Sequence, residues 1–207
     1  MVKALQKHLS TDLAGRPIPR LAADAARLTR RVRALARLSL TNGTPNDAAL
    51  ELACYALQLP MRQATLAAGG KYGQFNLRQR SEQAAELLVS RFSGDIDEKL
   101  LDETTDLLTN LPAKSPRSDD ARLLADAVNL DDFGIVGLFN SCVTMAVQGH
   151  GTEALIDGAK KRDAYGYWES RLRDSFHFPQ VRAIAVKRLA AARKLVAQVE
   201  AELAEEI

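Results

Sequence analysis

Residues 21–40, LAADAARLTRRVRALARLSL, carry their apolar side chains at a helical spacing. Leu21, Ala25, Leu28, Val32 and Leu35 follow one another at intervals of four, three, four and three residues. Because an α-helix completes a turn in about 3.6 residues, this spacing predicts a long helix with one buried stripe. Such a helix must bury its stripe against other elements, and the rest of the chain offers helices for that purpose.

The remaining chain repeats the helical pattern and contains no alternating pattern typical of strands. Helices are also predicted over residues 45–59, 77–92, 95–111, 121–130, 133–147, 165–173 and 179–205. Residues 60–77 are predicted to form a loop, and residues 148–163 a connection with a helical turn. Residues 133–147 are apolar nearly all round, which predicts a helix at the centre of a bundle. The sequence thus predicts one all-α domain of seven or eight helices over residues 20–207, after a loosely ordered N-terminal segment at residues 1–19.

Composition excludes several classes of protein. The 207 residues are 46% hydrophobic and 26% charged, which is typical of globular chains and not of disordered ones. The net charge is only +2, so no global field favours nucleic acid or an anionic membrane. The longest uncharged run, residues 133–152, contains too many polar residues and glycines for a membrane span. No signal peptide is apparent, and the two cysteines are expected to be buried thiols, so a cytoplasmic location is predicted.

Motifs for catalysis or metal binding are absent from the sequence. The three histidines, His8, His150 and His177, are scattered, and none has a partner at a metal-ligand spacing. Five arginines of the first long helix fall opposite its apolar stripe, where a solvent-exposed face is the simpler interpretation than a phosphate-binding one. Tyr167 and Trp168 are predicted to belong to the core or to a pocket wall.

Four stretches in the same order resemble the HD-domain superfamily of metal-dependent phosphohydrolases. Residues 53–58, ACYALQ, resemble the helix that carries the family's His-Asp doublet, and residues 78–81, RQRS, resemble the arginine-rich start of the following helix in one bacterial branch. Residues 123–138, LLADAVNLDDFGIVGL, resemble that branch's DAD-x-LDAxGAxGI helix pair and are the most specific of the four. Residues 155–158 and 167–172, before a long last helix, follow its C-terminal order. The resemblance covers about residues 20–205 and implies a helical HD-domain fold.

The positions that hold divalent metal in that family carry other residues here. On the family's pattern, the early histidine falls on Leu28, the doublet on Leu57 and Gln58, and the late aspartate on Val128. A further family histidine falls near Asn110 or Leu111. Aliphatic side chains offer no lone pair to a metal, and a single amide oxygen does not hold a divalent ion against water. Buried hydrophobic groups in their place can preserve the fold.

The resemblance therefore implies a degenerate HD-domain protein that binds no metal or other cofactor and hydrolyses no phosphate ester. We expect it to bind an unidentified small molecule or protein, with neither nucleic acid nor membrane as partner. The former metal pocket is filled or remains open, and an anion or ligand could contact charged residues near it, namely Arg78, Arg80, Asp126 and Asp131. Two alternatives stay open. The first is a retained or repurposed HD-family enzyme, either with a metal site assembled from Asp126, Asp131, His150 and His177 or with metal-free chemistry in the former metal pocket. The second is a structural homodimer formed through the last helix.

Overall fold

The computed structural model describes residues 2–11, 19–41, 43–62 and 76–204, and within them it has ten α-helices and no strand. The all-α prediction is therefore confirmed for these residues, although two more helices form than the sequence suggested. Their bounds are α1 Val2–Ser10, α2 Pro19–Ser39, α3 Asp47–Ala56, α4 Leu77–Phe92, α5 Glu98–Asn110, α6 Asp119–Asn129, α7 Ile135–Val147, α8 Thr152–Ala164, α9 Tyr167–Asp174 and α10 Pro179–Leu203.

The chain divides into two compact units, Met1–Ala127 and Val128–Ile207, where the sequence predicted a single domain. The boundary falls inside α6, two residues before the helix ends. A helix has no run of proline, glycine or serine to mark a boundary, so this boundary could not be predicted from composition.

Helix α3 is the centre of the N-terminal unit. It packs against α1, α2, α4 and α5, and every side chain from Leu52 to Leu57 is buried. The predicted stripe of α2 is buried as well, with exposed fractions of 4% or less from Leu21 to Leu35. Burial raises the pKa of the Cys54 thiol in α3 to about 12.

Helix α1 belongs to this unit, whereas the sequence placed residues 1–19 in a loosely ordered segment. Leu5 and Leu9 are fully buried, and the helix packs on α2 and α3. Arg62, itself buried, donates hydrogen bonds from Nε (3.1 Å) and Nη2 (2.9 Å) to the carbonyl oxygen of Thr11. Its Nη1 lies 3.1 Å from Nε2 of His8, and an arginine can only donate, so the imidazole accepts and is neutral. Residues 12–18 of the expected segment and most of the loop predicted at 60–77 lie outside the described residues.

Helix α10 organises the C-terminal unit by packing against α7, α8 and α9. Its first residue is Pro179, a position where proline costs no helical hydrogen bond. Phe133 lies at the centre of the aromatic core and is 1% exposed. Its ring meets Trp168 at 5.0 Å and Phe176 at 5.2 Å between centroids, both in edge-to-face geometry.

The structure corrects the prediction for the apolar segment at residues 133–147. Helix α7 forms, but it is not enclosed: Ile135, Val136, Phe139 and Val143 are between 43% and 60% exposed. Apolar residues on all sides of a helix show that each side could be buried, but they do not show how many neighbouring helices are present to bury them. In the described structure α7 has only α8 and α10 as close neighbours, so one side stays uncovered.

Candidate ligand-binding cavity

The N-terminal residues that the HD-domain resemblance aligns with metal ligands lie in the core of their unit. Leu28 is 3% exposed on α2, and Leu57 and Gln58 are 0% and 5% exposed in the turn that follows α3. Helices α2 and α3 pack against each other. Burying each leucine contributes roughly 1.5–3 kcal/mol to stability, so these residues serve packing.

The other sequence-predicted positions on and after α6 are divided between the two units. Asp126 is fully buried in the N-terminal unit. Val128 and Asp131 belong to the C-terminal unit and are half-buried. Asp131 lies in the turn after α6, and its backbone N–H donates to the carbonyl oxygen of Val128 at 3.0 Å.

These residues do not fit a divalent metal. Leu28, Leu57 and Val128 have no donor atom, and nowhere in the described ranges do three His, Cys, Asp or Glu side chains gather at metal-binding distance. The resemblance places a further histidine near Asn110 or Leu111. The side-chain nitrogen of Asn110 donates to the carbonyl and carboxylate of Asp106 at 2.8 and 2.9 Å, within its own helix. Leu111 is buried. The side chains at these positions are therefore those of a packed helical core and not those of a metal site.

The two arginines expected to bind an anion have different surroundings. Arg80 donates from Nε to the carbonyl oxygen of Leu57 at 2.9 Å, and thereby satisfies backbone just beyond the end of α3. Arg78 is exposed and lies 3.9 Å from Glu82 one turn further along α4. The structure thus gives Arg80 a contact with the predicted site, through the backbone of Leu57, and places Arg78 in solvent.

A cavity of about 210 Å³ lies in the C-terminal unit, between helices α7, α8, α9 and α10. Its apolar wall includes Leu138 of α7, Trp168 of α9, and Leu189 and Val196 of α10. Six charged side chains also line the wall, namely Asp132, Lys160, Arg162, Asp163, Arg193 and Glu200. Apolar walls with a few polar groups are typical of small-molecule sites.

The turn between α6 and α7 shapes one side of the cavity. Asn129 accepts from Arg171 at 3.0 Å and donates to the carbonyl of Ser175 at 2.8 Å, which fixes the turn to α9 and to the segment after it. Gly137, in the first turn of α7, lies so close to this turn that an added Cβ would come within 2.5 Å of the Asp132 carbonyl oxygen. Only glycine permits that approach without a backbone shift.

Helices α8 and α9 meet at a left-handed glycine, which brings their side chains together at the cavity. Gly166 has φ +63°, and its N–H donates to the carbonyl of Asp163 at 3.1 Å, as is usual just after a helix end. After this turn, the ring of Trp168 comes to lie 5.8 Å from the guanidinium carbon of Arg162. The pair is a cation–π contact on the cavity wall.

Ion pairs neutralise most of the charge around the cavity. Arg193 contacts Asp163 at 2.6 Å and Glu169 at 3.0 Å, and its hydrogen bond lowers the pKa of Glu169. Lys160 pairs with Glu200, which joins α8 to α10. Each of these carboxylates therefore already has a cationic partner.

A second depression, of about 440 Å³, lies in the N-terminal unit beside the end of α2 and the start of α3. Its wall contains Arg33, which donates to Asp47 at 2.6 Å and to Glu51 at 3.1 Å, and the hydrogen bond from Arg33 lowers the pKa of Asp47. The charge of Arg33 is thus satisfied by the chain itself. Although larger, this depression has no aromatic side chain among its lining residues.

Sequence reasoning found one residue of the C-terminal cavity and missed the others. Trp168 was predicted to be core or pocket wall, and it is a half-buried part of the cavity wall. No sequence motif marks Arg162 or Arg193, because the two arginines lie about 30 residues apart on different helices. Only the folded structure brings both to the cavity wall. The one available signal was the basic run 160–162 shortly before the only tryptophan.

Comparisons with protein-family models, with curated proteins and with solved structures found no match to this chain. Within the described ranges, none of the helices is both long enough and apolar enough to cross a bilayer.

Proposed function

We propose that this protein binds a small molecule in the cavity of its C-terminal unit and that it is a degenerate HD-domain protein without a metal site. The cavity is the observation that carries the binding function: about 210 Å³ between four helices, open to solvent on one side, with apolar side chains, one tryptophan and a charged rim. A cavity of this size is smaller than the usual drug-sized pocket, so the ligand is compact.

The order of the four HD-like stretches supports the proposed descent, and the residues at the former ligand positions support the loss of metal. Leu28 and Leu57 are buried without donor atoms, and Gln58 offers one neutral amide. Loss of the metal removes the means by which that family activates water. A binding role needs only a cavity, which the C-terminal unit has.

The binding function is tested with cyclohexanol, a neutral probe that suits a compact apolar cavity. Trp168 is the only tryptophan of the chain, so its fluorescence reports on the cavity wall directly. We expect saturable binding that is lost in Ala192→Leu, which adds bulk at the cavity wall. The matched control is Ala191→Leu on the exposed side of the same helix, which keeps binding. Equal binding by both variants would place the probe elsewhere.

The loss of metal is tested separately by calorimetry. Protein treated with a chelator and then dialysed is titrated with Mn²⁺ and with Zn²⁺. We expect no stoichiometric binding, because the former ligand positions supply no anionic or imidazole donors. A single tight site would overturn this part of the proposal and restore an enzymatic interpretation.

A further inference from the structure

The charges on the cavity wall leave one cation unmatched. Each carboxylate of the wall has a cationic partner: Asp132 has Arg171 at 2.7 Å, Asp163 has Arg193 at 2.6 Å, and Glu200 has Lys160. Arg162 is the exception among the cations, since no described carboxylate lies within ion-pair distance of it. The cations and carboxylates of the wall are equal in number, but Arg162 is left without an ion-pair partner in the described part of the chain because Asp132 pairs with Arg171, which is not part of the wall.

Arg162 is also held in a fixed orientation. Its Nε donates to the carbonyl of Gly158 at 3.1 Å, and its guanidinium carbon lies 5.8 Å from the centroid of the Trp168 ring. Within the described part of the chain, neither terminal nitrogen, Nη1 or Nη2, donates a hydrogen bond. Two parallel donors on a planar fork match the two oxygens of a carboxylate.

The apolar part of the wall determines the rest of the ligand. Leu138, Leu189 and Val196 line the cavity together with the indole of Trp168. An apolar cavity of about 150 Å³ accommodates benzene, so one of about 210 Å³ has room for a six-membered ring and a small substituent.

We propose that the ligand of this cavity is a compact apolar monocarboxylate. Its carboxylate accepts from Nη1 and Nη2 of Arg162, and its hydrocarbon part lies against Trp168 and the leucines. This inference rests on the binding function proposed above and specifies its ligand class. One cation without an ion-pair partner suits a monoanion, because a second negative charge would lie beside the paired carboxylates without a partner.

The test compares cyclohexanecarboxylate with cyclohexanecarboxamide, which has nearly the same shape and no charge. Affinities come from isothermal titration calorimetry, and Trp168 fluorescence locates the site. We expect the carboxylate to bind at least tenfold more tightly than the amide, and its affinity to fall with added salt. Arg162→Gln should abolish this preference, and Arg162→Lys should retain only part of it, since lysine keeps the charge without the fork.

The control is Arg173→Gln, which makes the same change of charge on α9 at an exposed arginine outside the cavity wall. It should leave the preference unchanged. Equal affinity of wild-type protein for the two probes, with no salt dependence, would overturn the carboxylate inference even if no variant folds. In that case continued binding of cyclohexanol would show that the binding function itself stands, whereas failure of all three probes would overturn both.

Discussion

Replacing Phe133 with alanine should destabilise the C-terminal unit more than any single change on its surface. The ring is 1% exposed, so nearly all of its apolar surface is lost from the core. A buried Phe→Ala change costs about 3–5 kcal/mol. The two edge-to-face contacts, with Trp168 and Phe176, each add about 0.5–1.5 kcal/mol beyond burial and place the cost in the upper part of that range.

Urea unfolding followed by the fluorescence of Trp168 measures this cost in the unit where the ring lies. Phe133→Leu keeps most of the volume and loses both aromatic contacts, so we expect about 1–3 kcal/mol. Phe139→Ala is the matched control on α7, where the ring is 60% exposed, and should change stability by about 0.5 kcal/mol. If Phe139→Ala were as costly as Phe133→Ala, the assignment of the core of this unit would be refuted.

Three further predictions concern single sites. Gly137→Ala should lower the free energy of unfolding in urea by several kcal/mol, because the added Cβ would lie within 2.5 Å of a backbone oxygen. Gly94→Ala is the control: it has open space around the added Cβ and should cost less than about 1 kcal/mol. Burial, and then the positive charge of the nearby arginine, lowers the pKa of His8 below 6.5, so the unfolded chain binds the proton more readily. Stability should therefore be constant above about pH 6.5 and fall as the pH drops below it. His8→Gln should reduce this pH dependence of the melting temperature. If the pH dependence were unchanged in the variant, the neutral imidazole would be contradicted. Asn46 and Asn76 both cap a helix, but only Asn46 also donates a hydrogen bond to a carboxylate of α5, at 2.7 Å. Asn46→Ala should therefore cost about 1–3 kcal/mol of stability, and Asn76→Ala only about 1 kcal/mol. Equal costs in chemical denaturation would show that the additional hydrogen bond contributes nothing.

The helices that could be predicted from sequence are those whose apolar residues alone form a stripe. Leu21, Leu28 and Leu35 of α2 are all buried, as their spacing requires. Helix α1 was not predicted because Leu5 and Leu9 are only two apolar residues at a helical spacing, too few to indicate a stripe. Their burial depends on contacts with α2 and α3.

Helix α8 was expected to be mostly a connection, and long-range contacts explain the difference. Its own sequence is polar and contains Gly158, but Lys160 and Asp163 pair with Glu200 and Arg193 of α10. Partners 30 or more residues away leave no local pattern. The cavity could not be predicted for a similar reason, since its wall is formed by side chains of four helices that meet only when these helices pack.

The two cysteines lie in different units and differ in accessibility. Cys54 is enclosed and stays protonated at neutral pH, whereas Cys142 on α7 is half-buried. A thiol-alkylating reagent should therefore modify Cys142 in the native protein and reach Cys54 only when the N-terminal unit opens. In mass spectrometry, the delay between the first and the second alkylation would measure the rate of that opening in the natural chain, without an engineered label.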